Sequence, residues 1–167
     1  LAAARVNGAS RYLCSSSAWI YPDHLQAEAN VAPLKEEDAY PASPQDAYGW
    51  EKLVAERLCQ YYTGEFGLET RVVRFHNIYG PYGTYDGGRE KVPAALCRKV
   101  AAVEPGGEIE VWGDGEQTRS FCYVDDCVEG IYRVMESNTR EPLNLGSEEM
   151  VTVNELARMI IEVSGKD

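Results

Sequence analysis

The period of the apolar positions changes several times along the chain, and each change marks an element. Leu1 to Val6 continues an apolar helical pattern that Gly8 closes as a left-handed cap, and Arg11 to Ser16 alternates as a strand running out into Ser15, Ser16 and Ser17. Ala18 to Gln45, punctuated by Pro22, Pro33, Pro41 and Pro44, is a long loop, and loops of that length usually carry function. A helix is predicted from about Ala47 to Phe66, ended by Gly67, and a β-branched strand from Thr70 to Phe75. The turn-rich Tyr79-Gly80-Pro81-Tyr82-Gly83 and the pair Gly87-Gly88 lead to a helix over about Val92 to Val103.

Farther on, strands are predicted at Ile109 to Trp112 and Thr118 to Tyr123, flanking Gly113-Asp114-Gly115, and a short one at Leu143 to Leu145. Asp125-Asp126 sit where a helix dipole favours negative charge, and Thr152-Val153-Asn154-Glu155 is a capping box for a last helix with Leu156, Met159, Ile160 and Val163 on its apolar stripe. Strands alternating with helices predict an α/β fold with a mainly parallel sheet, whose ligands gather beyond the carboxyl ends of the strands. Ser15 to Ser17, Phe75 to Gly80 and the loop after Trp112 fall there. Leu1 opens inside a helical pattern without a start signal, and Asp167 follows a helix with nothing to close the fold, so a fragment of a larger protein is expected.

Composition narrows the partners. The 167 residues carry a formal net charge of -11, which disfavours nucleic acid and anionic membrane surfaces. Five cysteines, Cys14, Cys59, Cys97, Cys122 and Cys127, contain no CxxC pair, so neither a disulfide framework nor a zinc site is expected and a reducing, cytoplasmic setting fits best. No apolar run approaches the roughly 20 residues of a membrane span. A small-molecule partner is expected.

Tyr48-Gly49-Trp50-Glu51-Lys52 sets a phenol and an ammonium four residues apart, on one helix face and about a turn from each other. A phenol ordinarily near pKa 10 serves as a base at neutrality only if its charged form gains about 4 kcal/mol. One ammonium at ~4 Å and an effective dielectric near 20 supplies about that. Any long helix produces this spacing by chance, and serines at a strand end are often only turn formers. Ser15-Ser16-Ser17 just upstream changes the balance, because a hydroxyl there could donate to the substrate oxygen that the phenol deprotonates.

Ser17, Tyr48 and Lys52 resemble the Ser, Tyr, Lys triad of the extended short-chain dehydrogenase/reductase family, the NAD-dependent sugar-nucleotide epimerases and dehydratases. Pro44-Gln45-Asp46-Ala47-Tyr48-Gly49, Arg74-Phe75-His76-Asn77-Ile78-Tyr79-Gly80-Pro81, Gly87-Gly88-Arg89-Glu90-Lys91 and Trp112 to Phe121 are similar to the GDP-sugar epimerases of that family, in the right order over almost the whole chain. The resemblance implies an incomplete Rossmann-like domain over 1–167, its N-terminal nucleotide-binding half absent, with part of a small C-terminal substrate domain and substrate elements mainly at 77–119 and beyond. It implies NAD as cofactor, contacted by Ser16, Tyr48 and Lys52. The sugar is oxidised at C4 with Tyr48 taking the hydroxyl proton, the hydrogens on C3 and C5 become acidic, and C4 is reduced again.

Substrate, a GDP-sugar, is implied to meet Ser17, Ala18, Trp19, Asn77 and Glu90 to Val92, with Lys91 as one of two acid/base groups, and Lys99 and Gln117, Thr118 and Arg119 on the diphosphate and nucleoside. Fixed cations and the planar fork of Arg suit a diphosphate. Taken without the family, Lys91 and Lys99 are solvated lysines, His76 a satisfied core or loop histidine, Arg119 a strand-edge charge, and Trp112 plain core unless it stacks on a base. The resemblance implies dimers; the residues themselves leave oligomeric state open.

The pattern breaks at Trp19. The second acid/base group of the GDP-sugar epimerases is a Cys two residues after the triad Ser, and an indole cannot exchange a proton at neutral pH as a thiol can. Another group such as Cys14 or Cys122 substitutes, or one carbon alone is inverted, or a related sugar undergoes different chemistry. UDP-glucuronate decarboxylases and UDP-sugar 4-epimerases share the triad, and a non-catalytic sugar-nucleotide-binding paralogue would also tolerate Trp19. The glycine-rich phosphate turn and the acidic ribose reader are not in these residues, so 1–167 alone are expected to hold NAD weakly and turn over little.

Overall fold

The structure, a computed structural model, describes residues 1–26 and 33–166. Helix α1 (Ala2–Val6) leads into β1 (Arg11–Ser17), and the predicted long loop holds three 3-10 turns, Ala18–Ile20, Asp23–Leu25 and Glu36–Ala39, its residues 27–32 lying outside those described. Helix α2 (Ala47–Phe66) starts where Asp46 Oδ1 accepts the Gly49 N–H at 2.9 Å, an N-cap worth about 1 kcal/mol. It stops at Gly67, whose φ of 70° other residues rarely adopt. Then come β2 (Glu69–Phe75), β3 (Ile78–Tyr79), α3 (Val92–Ala102), β4 (Thr118–Ser120), β5 (Cys122–Tyr123), α4 (Val124–Glu136), β6 (Leu143–Leu145), β7 (Met150–Thr152) and α5 (Val153–Ser164).

Strands β1, β2 and β6 form a parallel sheet in that order, as expected. The register sets Ser17 beside Phe75 and Phe75 beside Leu145, so three strands end on one carboxyl edge. Helix α2 buries Gly49, Leu53, Glu56 and Cys59, a spacing of three to four that keeps one face on the sheet. Cys14, Cys59 and Val72 pack together there, while Leu53 joins Ile20, Tyr21 and Ala39 below the 3-10 turns. A second small core, Leu96, Val153 and Ala157, joins α3 to α5. No helix among the described residues is long and apolar enough to cross a membrane.

Two strand expectations need correction. Ile109 to Trp112 is not a strand; Ile109 and Val111 do alternate inward onto the α3–α5 core, but no neighbouring strand offers this backbone a ladder. Thr118 to Tyr123 is two strands. β4 pairs antiparallel with β7, β5 pairs parallel with β3, and the chain changes partner at Phe121.

A buried polar network is unexpected from the sequence. Arg74 of β2 is buried, and its Nε and Nη2 donate to Glu56 Oε1 and Oε2 of α2 at 3.0 and 2.8 Å. Its Nη1 reaches the Tyr21 hydroxyl at 3.0 Å and the Glu36 carbonyl at 2.8 Å, and Ser16 Oγ donates to Glu56 Oε1. Burial works against the Arg74 charge, yet Glu56 and Tyr21 outweigh it and hold the guanidinium above its ordinary range. Removing one member strands the other in a dry interior. Glu56→Ala is therefore expected to lower unfolding free energy by about 3–5 kcal/mol in a urea titration. Glu56→Leu with Arg74→Met should recover most of the loss, and a double variant as unstable as the single one would refute this account.

Candidate active site

At the carboxyl edge of the sheet lies an open cleft of about 1300 Å³. Ser17, Ala18 and Trp19 from the end of β1, His76 and Asn77 from the end of β2, and Lys91 at the start of α3 line it, facing Thr118 and Arg119 of β4. Seven of the residues predicted for the site are thus brought together: Ser17, Ala18, Trp19, Asn77, Lys91, Thr118 and Arg119.

Ser17 owes its place to the break between strand and 3-10 turn. Its Oγ accepts the Trp19 N–H at 3.3 Å, which leaves the hydroxyl hydrogen to donate elsewhere. Trp19 is 44% exposed. Asn77 takes φ 41°, a left-handed turn that Asn tolerates, and its Nδ2 donates to the Ser120 carbonyl at 2.9 Å, leaving Oδ1 for a ligand. Lys91 and Arg119 are exposed cations, and Arg119 Nη1 donates to the Thr118 carbonyl at 2.7 Å.

Tyr48 and Lys52 stand beside the cleft, not in its lining. Gly49 between them lies so close to the 3-10 turn that a Cβ would collide with the Trp19 carbonyl, so the start of α2 is held against the end of β1. The Lys52 ammonium lies 5.4 Å from the centroid of the Tyr48 ring and donates to the Ser15 carbonyl at 3.2 Å. Tyr48 is 47% exposed, facing solvent and not the interior. A phenol next to a cation, with ammonium donors to spare, suits a group with ribose hydroxyls such as a dinucleotide. Residues 1–167 contain no G-x-G-x-x-G turn for its diphosphate.

The other predicted residues sit elsewhere. Ser16 alternates to the α2 side of β1, where its hydroxyl is taken by Glu56. Glu90 turns to Arg98 at 3.3 Å, and the backbone N–H groups of Glu90 and Gly88 hold its carboxyl below the usual range. Val92 opens α3, half-exposed. Lys99 donates to the Glu110 carbonyl at 2.6 Å and lies 5.5 Å from the exposed Trp112 ring, which is therefore not core. The Gln117 carbonyl accepts the Val153 N–H at 3.2 Å. Neither thiol suggested as a substitute reaches the cleft: Cys14 packs on Cys59, and Cys122 donates to the Tyr123 carbonyl at 3.6 Å.

Sequence reasoning missed several half-buried residues of the cleft, among them Asn144 of β6. Its side chain bridges His76, Tyr21 and the Leu34 carbonyl. Its only signal was its place between two leucines at a strand end.

Comparison with known proteins identifies the family. The family model "NAD dependent epimerase/dehydratase family" matches residues 1–146. The chain is 57% identical over its whole length to GDP-mannose 3,5-epimerase 1 of Oryza sativa subsp. indica, of which it spans 43%. Among solved structures it resembles the UDP-N-acetylglucosamine 4-epimerase of Methanobrevibacter ruminantium M1, at TM-score 0.87 and 25% identity over 99% of this chain and 50% of that one. It also resembles the UDP-glucuronic acid 4-epimerase of Bacillus cereus in complex with UDP-glucuronic acid and NAD, at TM-score 0.74 and 25% identity over 94% of this chain and 46% of that one. The chain belongs to the NAD-dependent epimerase/dehydratase family.

Proposed function

We propose that this chain is the catalytic and substrate-binding portion of a GDP-hexose epimerase of the GDP-mannose 3,5-epimerase type, using NAD. The observation that carries this reading is the pairing of Tyr48 and Lys52 against the strand end that presents Ser17, beside a cleft with fixed cations at Lys91 and Arg119. The 57% identity over all 167 residues to a GDP-mannose 3,5-epimerase favours guanine over the UDP-sugar decarboxylase or 4-epimerase alternative. A phenol and ammonium held in this way also count against a non-catalytic paralogue, for which nothing would keep the pair together.

Lys52 and Tyr48 would hold NAD, which supplies a hydride acceptor at C4 that is regenerated in each turnover. Tyr48 takes the C4 hydroxyl proton, and the Lys52 ammonium favours the negative charge growing on the phenol oxygen. Ser17 donates to the same sugar oxygen. The resulting C4 ketone acidifies the hydrogens on C3 and C5, Lys91 exchanges a proton at one of them, and Asn77 Oδ1 holds a sugar hydroxyl. Arg119 and Thr118 take the nucleotide side, with substrate elements over 77–119 and beyond. Trp19 fills the place of an exchanging thiol with a body that has no proton to give.

Tyr48→Phe in the complete protein should remove substrate-dependent nicotinamide reduction, seen in absorbance, while GDP-sugar binding stays within about twofold of wild type; full reduction without the phenol would end the assignment. Calorimetry should find GDP-mannose bound at least tenfold more tightly than UDP-glucuronate, about 1.4 kcal/mol, and the reverse order would move the chain to the UDP-sugar enzymes. Trp19→Cys should raise the yield of galactose-configured product, read by chromatography, and no gain in a variant that binds substrate normally would count against this role for the indole.

A further inference from the structure

Inverting a carbon requires a proton taken on one face and returned on the other, so a cleft that works on GDP-mannose needs a partner for Lys91. Trp19, Cys14 and Cys122 do not provide one. Of the ionisable side chains lining the cleft, among the described residues, His76 alone is not exposed.

The hydrogen bonds around His76 have a fixed direction. Asn144 Nδ2 donates to the Leu34 carbonyl at 2.9 Å, and since a carbonyl only accepts, the amide oxygen must be the atom facing Tyr21 and His76. The Tyr21 hydroxyl accepts from Arg74 and gives its proton to Asn144 Oδ1 at 2.6 Å. His76 Nε2 lies 3.0 Å from the same oxygen and therefore carries the ring hydrogen. The ring's lone pair is left on Nδ1. No described residue bonds Nδ1, and it is not among the side-chain atoms sealed from solvent without a partner. A side chain on Gly146 would meet Cβ, Cγ and Cδ2 of His76, so this close neighbour lies nearer the Cδ2 edge of the ring than Nδ1.

Two further facts fit a proton acceptor. Burial holds the imidazole below its ordinary range, opposed by the Asn144 bond and the Glu36 charge and reinforced by Arg74, so the ring is neutral at physiological pH. The Glu36 carboxylate, which also accepts the Asn144 N–H at 2.9 Å, favours the imidazolium once a proton arrives.

We propose that His76 is the second proton-exchanging group of the epimerisation, acting through Nδ1 on a carbon beside the C4 carbonyl while Lys91 serves the opposite face. This rests on the GDP-hexose epimerase reading above. The C–H bond breaks, its electron pair enters the enolate of the C4 ketone, and an Nδ1–H bond forms. The carbon then takes a proton from the Lys91 ammonium, and imidazolium and amine re-equilibrate with water. This step is redox-neutral; the C4 ketone it uses comes from the nicotinamide oxidation.

The test is NMR of GDP-mannose incubated with the complete protein and NAD in deuterium oxide, following deuterium at C3 and C5 and, in parallel, nicotinamide absorbance. His76→Gln keeps a donor for Asn144 and removes the base; His76→Asn removes both. Deuterium entry at one carbon is expected to fall about 100-fold in both variants, with nicotinamide reduction falling far less. In wild type, entry at that carbon should decline as pH falls through the depressed imidazole range, and the variants should lose that inflection. Unchanged deuterium entry in either folded variant overturns the proposal, as does a parallel loss of exchange and nicotinamide reduction, which would make His76 structural. Wild type that never reduces nicotinamide with GDP-mannose would overturn the underlying reading, before any variant is compared.

Discussion

One buried guanidinium, that of Arg74, ties α2 and the loop after β1 to the central strand near the sheet's carboxyl edge. It grips Glu56 of α2 in bidentate fashion, holds the Glu36 carbonyl and the Tyr21 hydroxyl of the preceding loop, and shares Glu56 with Ser16 of β1. Two of those partners and Arg74 itself neighbour candidate site residues: Ser16 precedes Ser17, Glu56 lies one turn beyond Lys52, and Arg74 is two residues before His76. A buried ion pair adds little net stability over a hydrophobic replacement, because desolvation offsets the Coulomb gain. Its value here is direction. A planar donor fork fixes angles as well as distances, which packed leucines do not.

Much of this fold was legible because it is locally encoded. Asp46 and Gly67 mark both ends of α2, Thr152 and Glu155 form the capping box of α5, and the β-branched run at Thr70 to Phe75 is the central strand. Each signal lies within a few residues of what it specifies. The failures share the opposite property. Ile109 to Val111 has the alternation of a strand, but ladders need a partner that only tertiary structure supplies. Phe121, where β4 and β5 part, carries no turn residue to announce the change.

The same distinction governs the site. Ser17, Trp19 and Asn77 come together at the cleft because each ends or follows a strand on the same edge of the sheet, a rule that sequence order alone can apply, while Lys91 at the start of α3 and Arg119 within β4 face them. Glu56 and Arg74 are 18 residues apart on different elements, and nothing in either neighbourhood names the other. A charged residue in the run Val72-Val73-Arg74-Phe75 was the available hint, since an arginine at an inward position of a buried strand must find a partner. Asn144 gave less. Its amide matters only through the Leu34 carbonyl that fixes its orientation, 110 residues away in sequence.

Trp19 and His76 belong to one argument. Ser17 Oγ accepts the Trp19 N–H, and the Trp19 carbonyl lies against Gly49 of α2, so the residue after Ala18 cannot move aside without disturbing the helix turn that carries Tyr48 and Lys52. In the proposed reaction, a change of side chain there would alter the chemistry of the cleft while the backbone contact keeps Tyr48 and Lys52 in place. On the proposed reading the groups for proton exchange at the neighbouring carbons hang from β2 and α3, and β2 is tied to α2 by the Cys59–Val72 packing and the Thr63–Thr70 hydrogen bond as well as by the Arg74 network. On that reading the redox pair stands on α2 and the proton-exchanging groups on other elements, so the second set could be rebuilt around a different side chain, with His76, fixed by Asn144, as the proposed base.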